Sequence, residues 1–316
     1  MNRHQLVEQV RDILAKSGFY LSERHNERGI SFDIIARKDD FLLVISVLVN
    51  ADSSRIESAK EMKILSDAIE GSPMFISLKG GRRKLEKGVI YSRRGIPLLT
   101  PETLSDLFLE GVPPYVFSAP GGFYVSIDSE LLHEARKERK ISLGRLADIA
   151  GVSRKAIQKY EDGMGVDLDV ALKIEEYFGE DLILPLNPLE YDGELDDLEE
   201  CLGEFSGFQK IIFDSLLSMG YDITPTARCP FEAVTSDENT VLLSGVGSKG
   251  DSRLKKKAHI VSNISRITEK DGVIFIREKY STVNIEGTPI INKEELLYLD
   301  SKDGIIELLK ERSKEN

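Results

Sequence analysis

The sequence predicts a protein of α/β plus all-α class, in which two duplicated α/β domains flank a central domain of four to five helices. Three observations lead to this prediction. Sequence blocks near the N-terminus recur in the same order near the C-terminus. The stretch between the two copies has the periodicity and the capping residues of short helices. The length of 316 residues is enough for two or three separate cores.

Residues 1–110 are predicted to form the first α/β domain. The segment LVEQVRDILAKSG places its apolar residues on one helix face and ends at Gly18, a residue type common at helix ends. The runs FDIIAR and FLLVISVLV, separated by KDD, predict a β-hairpin. A second helix over about 54–69 and the strand MFISL follow. GVIYSR, GIP and PETLSDLFL then predict a strand, a turn and a short helix.

Two segments are predicted to be linkers. Residues 111–122, GVPPYVFSAPGG, contain three prolines and three glycines, which should interrupt any regular element. Residues 187–207 include PLEYDGELDDLEECLGE, with eight carboxylates and neither Lys nor Arg. Such a charge run is typical of a solvated connector.

Residues 208–316 are predicted to form a second α/β domain, a duplicate of the first. FDSLLSMGY matches RDILAKSGF, and GTPIINKEEL matches GIPLLTPETL. Between these blocks, FEAVTSDENTVLLSGV aligns with FDIIARKDDFLLVISV without a gap. Blocks that recur in the same order are the signature of an internal repeat.

The central domain, residues 122–186, begins with the strand FYVSID and continues with four short helices. The predicted helix limits are about 131–139, 143–150, 154–162 and 168–178. Ser142, Ser153 and Asp167 each stand where an N-cap side chain would accept a backbone N–H. Gly163 and Gly179 follow two of the helices, as C-terminal glycines do. The segment AGVS leaves room only for a tight corner between the second and third helices.

The residues of this corner resemble the helix-turn-helix of the lambda-repressor-like, or Cro-type, family. Ala147 is small where two helices approach, Gly151 permits the turn, and Ile157 supplies an apolar contact. The similarity extends over all four helices. In that family the second helix of the corner docks in the major groove, so the resemblance implies that residues 153–162, SRKAIQKYED, are the recognition helix.

The side chains predicted to bind DNA are polar and lie on this helix or on the first helix of the domain. They are Ser153, Arg154, Lys155, Gln158, Lys159, Arg136 and Lys137. Arg and Lys can donate to guanine, and Gln can pair with adenine. A serine at a helix N-terminus can bind a phosphate. Arg136 and Lys137, in ARKERK, are predicted to contact the phosphate backbone.

The order of elements in the first domain resembles the core of PD-(D/E)xK nuclease-like domains. Their chemistry requires an acid on one strand and E-x-K on the next, because carboxylates hold a divalent ion. Asp33 stands in the place of the first acid, but Ser46 and Leu48 replace the later Glu and Lys. The second copy has Glu232 and then glycines at both later positions. Nuclease activity is therefore not expected.

Composition and charge are those of an ordinary globular protein. Hydrophobic residues make up 41% of the chain and charged residues 30%. No run approaches the roughly 18 apolar residues of a membrane helix, so we expect a cytoplasmic protein with no membrane partner. The two cysteines, Cys201 and Cys229, and the four histidines lack the spacing of a metal site, and no metal or cofactor is expected. Basic residues in KGGRRKLEKG are interpreted as a solvated surface, with phosphate contact as the alternative.

The full arrangement is similar to an archaeal family of HTH-type transcriptional regulatory proteins. The resemblance implies a sequence-specific regulator of transcription that binds double-stranded DNA and is not an enzyme. We expect a homodimer, since one recognition helix reads only a few base pairs. Two alternatives remain: a protein-interaction adaptor, and a DNA-processing enzyme of PD-(D/E)xK type, which the missing E-x-K disfavours. The sequence identifies no small-molecule effector.

Overall fold

The protein is described here by a computed structural model. It describes residues 1–24, 29–191, 205–248, 251–280, 282–299 and 301–313. We call residues 1–110 the first α/β unit, residues 122–186 the helical unit, and residues 208–316 the second α/β unit. Most of the predicted acidic linker, residues 187–207, lies outside the described residues, as does Cys201.

The first α/β unit is a sheet with helices on both faces. Its elements are α1 Arg3–Lys16, β1 Tyr20–Leu21, β2 Ile34–Lys38, β3 Phe41–Leu48, α2 Ile56–Ala68, β4 Ser72–Ser77, β5 Lys79–Gly80, β6 Arg83–Lys84, β7 Val89–Arg93, β8 Ile96–Leu99 and α3 Pro101–Ser105. Successive side chains of a strand point to opposite faces. On β3, Leu43 and Ile45 therefore join the core under α1, whereas Val44 joins the core under α2. This burial on both sides explains the almost continuous apolar run in β3.

The prediction that residues 111–122 contain no regular element is wrong. β9, Val116–Ala119, forms a hairpin with β10, Gly122–Ile127, and also pairs in parallel with β7. The positive φ of 109° at Gly121 makes the tight turn possible. Prolines 113, 114 and 120 all stand outside the two strands, where they remove no ladder hydrogen bond. One sheet of ten strands therefore runs from the first α/β unit into the helical unit.

The helical unit contains the four predicted helices and two short strands that return to β10. Its further elements are α4 Ser129–Glu138, α5 Leu143–Ala150, α6 Arg154–Glu161, β11 Val166–Asp167, α7 Leu168–Phe178 and β12 Ile183–Leu184. The predicted N-cap side chains Ser142, Ser153 and Asp167 all accept backbone N–H groups. β11 precedes α7 and β12 follows it, and both strands pair with β10. The chain therefore joins the sheet on both sides of α7.

The second α/β unit repeats the strand order of the first. Its elements are α8 Gly207–Ser218, β13 Asp222–Pro225, β14 Ala233–Ser236, β15 Val241–Gly247, α9 Leu254–Thr268, β16 Asp271–Ile276, β17 Asn284–Ile285, β18 Thr288–Asn292, α10 Lys293–Tyr298 and α11 Lys302–Arg312. The order β13-β14-β15-β16-β18-β17 corresponds to β1-β2-β3-β4-β8-β7. Each successive pair also has the same parallel or antiparallel direction.

The two α/β units pack against each other through one shared apolar core. Phe32 and Val44 of the first unit lie in the same cluster as Phe231 and Leu243 of the second. Phe32 aligns with Phe231, and Val44 aligns with Leu243, in the ungapped match of the two sequences. Each unit thus buries the same face against the other.

Polar contacts between the units are also reciprocal. On α2, Glu61 accepts the backbone N–H groups of Ala227 at 2.7 Å and Arg228 at 2.6 Å. On α9, Asn263 accepts the backbone N–H of Glu23 at 2.7 Å. In each case a helix of one unit binds the loop that precedes the second strand of the other. The apolar face is therefore covered within the chain.

Candidate nucleic-acid interface

The corner between α5 and α6 is set by backbone hydrogen bonds at Gly151. Gly151 has a φ of 74°, a left-handed conformation that glycine adopts without steric cost. Its N–H donates to the carbonyl of Ala147 at 2.9 Å, and the N–H of Val152 donates to the same carbonyl at 3.0 Å. The chain therefore turns within the three residues that separate the two helices.

Side chains of α6 divide into a buried face and an exposed face. Ile157 is fully buried and Tyr160 is nearly so, in the same cluster as Leu146 and Ala147 of α5. At the start of the helix, the Ser153 hydroxyl accepts the N–H of Ala156 at 3.1 Å. The inward face thus packs α6 against α5 at the corner.

The structure brings the predicted base-contacting side chains together on the outward face of α6. These exposed side chains are Arg154, Lys155, Gln158 and Lys159. Ser153, beside them, is exposed as well. Among the described residues, none of the three cations forms an ion pair. Their donors are thus free to meet the acceptors of a base edge or a phosphate.

Arg136, which is predicted to contact the phosphate backbone, does not join this exposed set and is paired within the protein. Its Nη2 donates to Glu161 at 2.9 Å, its Nε donates to the other carboxylate oxygen, and its Nη1 reaches the carbonyl of Ile141 at 3.2 Å. The Arg136 and Glu161 side chains are only 12% and 9% exposed. Arg136 therefore joins α4 to α6. The sequence contained one signal for this pairing, because Glu161 is the single acid on α6.

Glu161 stays ionised because it has two partners. His133 lies 2.7 Å from one of its carboxylate oxygens. Burial by itself would raise the pKa of Glu161, but the hydrogen bonds from Arg136 and His133 outweigh burial and hold the pKa below its usual value. The bidentate pair is a charge-assisted contact with fixed geometry.

Lys137 remains a candidate for phosphate contact, unlike its neighbours. It is exposed and has no ion pair among the residues that the structure describes. Arg139, by contrast, donates to the carbonyls of Tyr177 and Phe178 at the end of α7 and lies over both rings. Of the three, only Lys137 has a side chain with no hydrogen bond or ion pair among the described residues.

Acidic side chains of α4 lie beside α6. A cleft of about 610 Å³ between α4 and α6 is lined by Arg154 and Gln158 and also by Glu130 and Glu134. These carboxylates repel phosphates at short range and are screened by salt.

In the first α/β unit, Asp33, which stands in the place of the first nuclease acid, is hydrogen-bonded within the protein. One oxygen of Asp33 accepts the N–H of Val47 at 2.7 Å, and the other pairs with Arg3 at 2.6 Å. Burial raises the pKa of Asp33, and these two partners oppose the rise. Ser46 and Leu48, on the adjacent strand, provide neither a second carboxylate nor an ammonium group.

The second α/β unit shows the same arrangement with an internal cation. Glu232 accepts the N–H of Val246, the residue that aligns with Val47, at 2.6 Å. The ammonium of Lys257 binds a carboxylate oxygen of Glu232 and the carbonyl of Val246. A Cβ on Gly245 would lie 3.6 Å from the side chain of Lys257. Oxygen atoms that could hold a divalent ion are thus occupied by an ammonium.

Together, the Gly151 corner and the exposed basic face of α6 define a helix-turn-helix protein. A family model described as helix-turn-helix matches residues 132–184, and a model described as a PD-(D/E)XK superfamily domain matches residues 3–114. Both predicted resemblances are therefore confirmed.

Similar chains from other organisms extend over the whole length. A protein of Methanosarcina acetivorans is 38% identical over 100% of this chain and 99% of its own length. A protein of Halorubrum lacusprofundi is 36% identical over 99% of this chain and 98% of its own length. Each is named "Putative HTH-type transcriptional regulatory protein". No solved structure matches the chain significantly. The chain belongs to this archaeal family of HTH-type transcriptional regulatory proteins.

No helix within the described residues is long and apolar enough to cross a membrane.

Proposed function

We propose that this protein is a sequence-specific DNA-binding regulator of transcription that reads the major groove with α6. The observation that carries the proposal is the outward face of α6, where Arg154, Lys155 and Lys159 are exposed beside Gln158 without ion pairs among the described residues. Cations on a rigid helix supply both phosphate attraction and base readout. A cytoplasmic location, where such a regulator meets DNA, is part of this proposal.

Arg154 is the first residue to test because it lies in the first turn of α6, the part of a recognition helix that contacts bases. Arg154→Ala should cost about 1 to 3 kcal/mol at a specific site and relax the preference at one position of that site. Lys173→Ala, an exposed substitution on α7, is the charge-matched control and should preserve the preference. Binding profiles that are identical for wild type and Arg154→Ala would contradict this assignment.

A homodimer is the second part of the proposal. One helix contacts a few base pairs, and two helices related by symmetry would read half-sites about 34 Å apart. The shared core of the two α/β units is covered within the chain, so a dimer must use another surface. Sedimentation velocity at micromolar concentration, with and without DNA, should show two chains per duplex. One chain per duplex would argue against the dimer.

The nuclease-like units are proposed to be inactive scaffolds. Asp33 accepts hydrogen bonds from Val47 and Arg3, and the two oxygens of Glu232 accept hydrogen bonds from Lys257 and Val246. A hydroxyl and an aliphatic side chain cannot replace the carboxylate and ammonium that the metal-assisted reaction requires. Linear and branched DNA incubated with Mg²⁺ or Mn²⁺ should remain intact. Cleavage that disappears in Asp33→Ala would overturn this part.

We infer that the two α/β units arose by duplication. Support comes from their common strand order and directions, from the gapless match of their central hairpins, and from the equivalent bonds of Asp33 and Glu232 to Val47 and Val246. Their mutual packing resembles a homodimer joined into one chain. The limits of the units at residues 110, 122, 186 and 208 are part of the same proposal.

A further inference from the structure

A cleft of about 670 Å³ lies between a hairpin of the first α/β unit and the hairpin that joins this unit to the helical unit. One wall is the β5–β6 hairpin of the first α/β unit. The other is the β9–β10 hairpin, contributed by Ser118, Ala119, Pro120, Gly122 and Phe123. The volume falls within the range of about 300 to 1,000 Å³ that is typical of small-molecule sites.

The floor of this cleft is apolar and partly aromatic. Tyr91, Leu98 and Phe123 contribute to it, and the rings of Tyr91 and Phe123 meet edge to face with centroids 6.5 Å apart. The hydroxyl of Tyr91 accepts the N–H of Glu86 at 3.0 Å, which fixes the ring. A planar ligand would find a preformed surface here.

The rim is positively charged, although the whole chain has a net charge of -12. Arg83, Lys84 and Arg93 line the cleft, and Glu86 is the one acid among its lining residues. Arg83 and Lys84 are exposed and have no ion pair in the part of the chain that the structure describes. Arg93 is held in position by Asp52 at 2.5 Å.

The β5–β6 hairpin is fixed before any ligand arrives. Asn50 accepts the N–H of Gly81 at 3.0 Å and donates to its carbonyl at 3.4 Å. Gly81 has a φ of 61°, so the hairpin turn uses a glycine where another residue would be strained. Arg83 and Lys84 are thus presented from a rigid element, which lowers the entropic cost of binding.

We propose that this cleft binds a small anion with a planar apolar body, of the chemical class of a mononucleotide. The anionic group would meet Arg83, Lys84 and Arg93, since guanidinium and ammonium groups bind phosphate well. The planar body would lie against Tyr91 and Phe123.

The position of the cleft also links such a ligand to the recognition helix. β10, on its far wall, pairs with β11, with Val125 opposite Val166. β11 lies a few residues after the end of α6 and directly precedes α7. A ligand that moves the β9–β10 hairpin would therefore move α6. This coupling rests on the proposed function, whereas ligand binding itself does not.

Calorimetry on the full chain without DNA tests the ligand site. The probes are the monophosphates of adenosine, guanosine, cytidine and uridine, with adenosine alone and inorganic phosphate as partial ligands. At least one monophosphate should bind with a Kd of about 1 mM or tighter, and each partial ligand at least about tenfold more weakly. The double variant Arg83→Ala, Lys84→Ala should lose at least about tenfold in affinity.

Arg82→Ala is the matched control, since Arg82 lies in the same hairpin, is exposed and does not line the cleft. It should bind the monophosphate as wild type does. The ligand site is refuted if no monophosphate binds at about 1 mM, if Arg82→Ala weakens binding as much as the double variant, or if only longer oligonucleotides bind.

DNA affinity at saturating monophosphate then tests the coupling. A change of at least about threefold, absent in the double variant, is expected. Monophosphate binding with unchanged DNA affinity would refute the coupling but not the ligand site. A protein that binds the monophosphate but never binds duplex DNA would instead contradict the proposed function.

Discussion

Arg136 and Lys137 are sequence neighbours on α4, and the structure gives them opposite roles. Arg136 makes three hydrogen bonds to Glu161 and Ile141, whereas Lys137 is exposed and has no ion pair among the described residues. Arg136→Ala should therefore destabilise the contact between α4 and α6 and leave the phosphate contacts of the protein unchanged. Lys137→Ala should leave the contact between α4 and α6 intact and remove a phosphate contact.

The expected size of the Arg136 effect follows from the burial of the pair. Removing one partner of a buried ion pair costs about 3 to 5 kcal/mol, since the other charge is left without compensation. Glu161 is 9% exposed and keeps His133 at 2.7 Å, so the lower end of that range applies. About 3 kcal/mol corresponds to a roughly 100-fold loss of protection against amide hydrogen exchange in α6.

Hydrogen exchange of the full chain and the salt dependence of DNA binding measure the two effects separately. Lys137→Ala should keep the protection of α6, since an exposed substitution changes stability by about 0.5 kcal/mol or less. If Lys137 contacts one phosphate, the slope of log K against log salt should become shallower by about 0.9. An Arg136→Ala variant that keeps full protection of α6 and has a shallower salt slope would refute these opposite roles of Arg136 and Lys137.

Three further predictions concern charged side chains. Folding lowers the pKa of Glu161 below its usual 4.5. The stability that ionised Glu161 contributes is therefore complete above pH 4.5 and declines as the pH falls through the lowered pKa. Glu161→Gln should remove this acid-dependent loss of exchange protection in α6. Glu61→Ala should cost about 1 to 3 kcal/mol in the exchange protection of residues 227–236, since two backbone N–H groups lose their acceptor, and Glu57→Ala, exposed on the same helix, should not. Glu130→Gln with Glu134→Gln should raise DNA affinity by about two- to threefold at low salt, measured by fluorescence anisotropy, because two negative charges beside α6 are removed.

Each of these predictions can fail in a recognisable way. An α6 that loses protection in acid equally in wild type and Glu161→Gln would show that another group controls the pH dependence. An equal loss of exchange protection in Glu61→Ala and Glu57→Ala would show that the hydrogen bonds of Glu61 do not stabilise the contact between the units. Weaker DNA binding after Glu130→Gln and Glu134→Gln would mean that these acids contact bases rather than repel phosphates.

The helices of the helical unit were predictable because their signals are local. The limits of α5 and α7, Leu143–Ala150 and Leu168–Phe178, agree with the predicted ranges, since an N-cap oxygen and a C-terminal glycine act within one turn. The outward face of α6 was likewise predictable from helical spacing, because residues 154, 155, 158 and 159 share one side.

The features that were missed depend on distant contacts. β9 forms in a segment rich in proline and glycine because β7 and β10 provide partners on both sides, which no local pattern reveals. The partner of Arg136 lies 25 residues away, and Glu61 binds backbone groups 166 and 167 residues away. The reciprocal packing of the α/β units also involves positions that a single sequence marks only as apolar.

Selection from a random duplex library tests the central claim most directly. The full chain at low salt should enrich one sequence motif, and the combined substitution of Arg154, Lys155 and Lys159 by alanine should abolish enrichment while hydrogen exchange shows that α6 remains folded. The Lys173→Ala control should enrich the same motif as wild type. If the wild-type chain enriches no sequence, the protein is not a sequence-specific regulator, and the interpretation as a protein-interaction adaptor gains support.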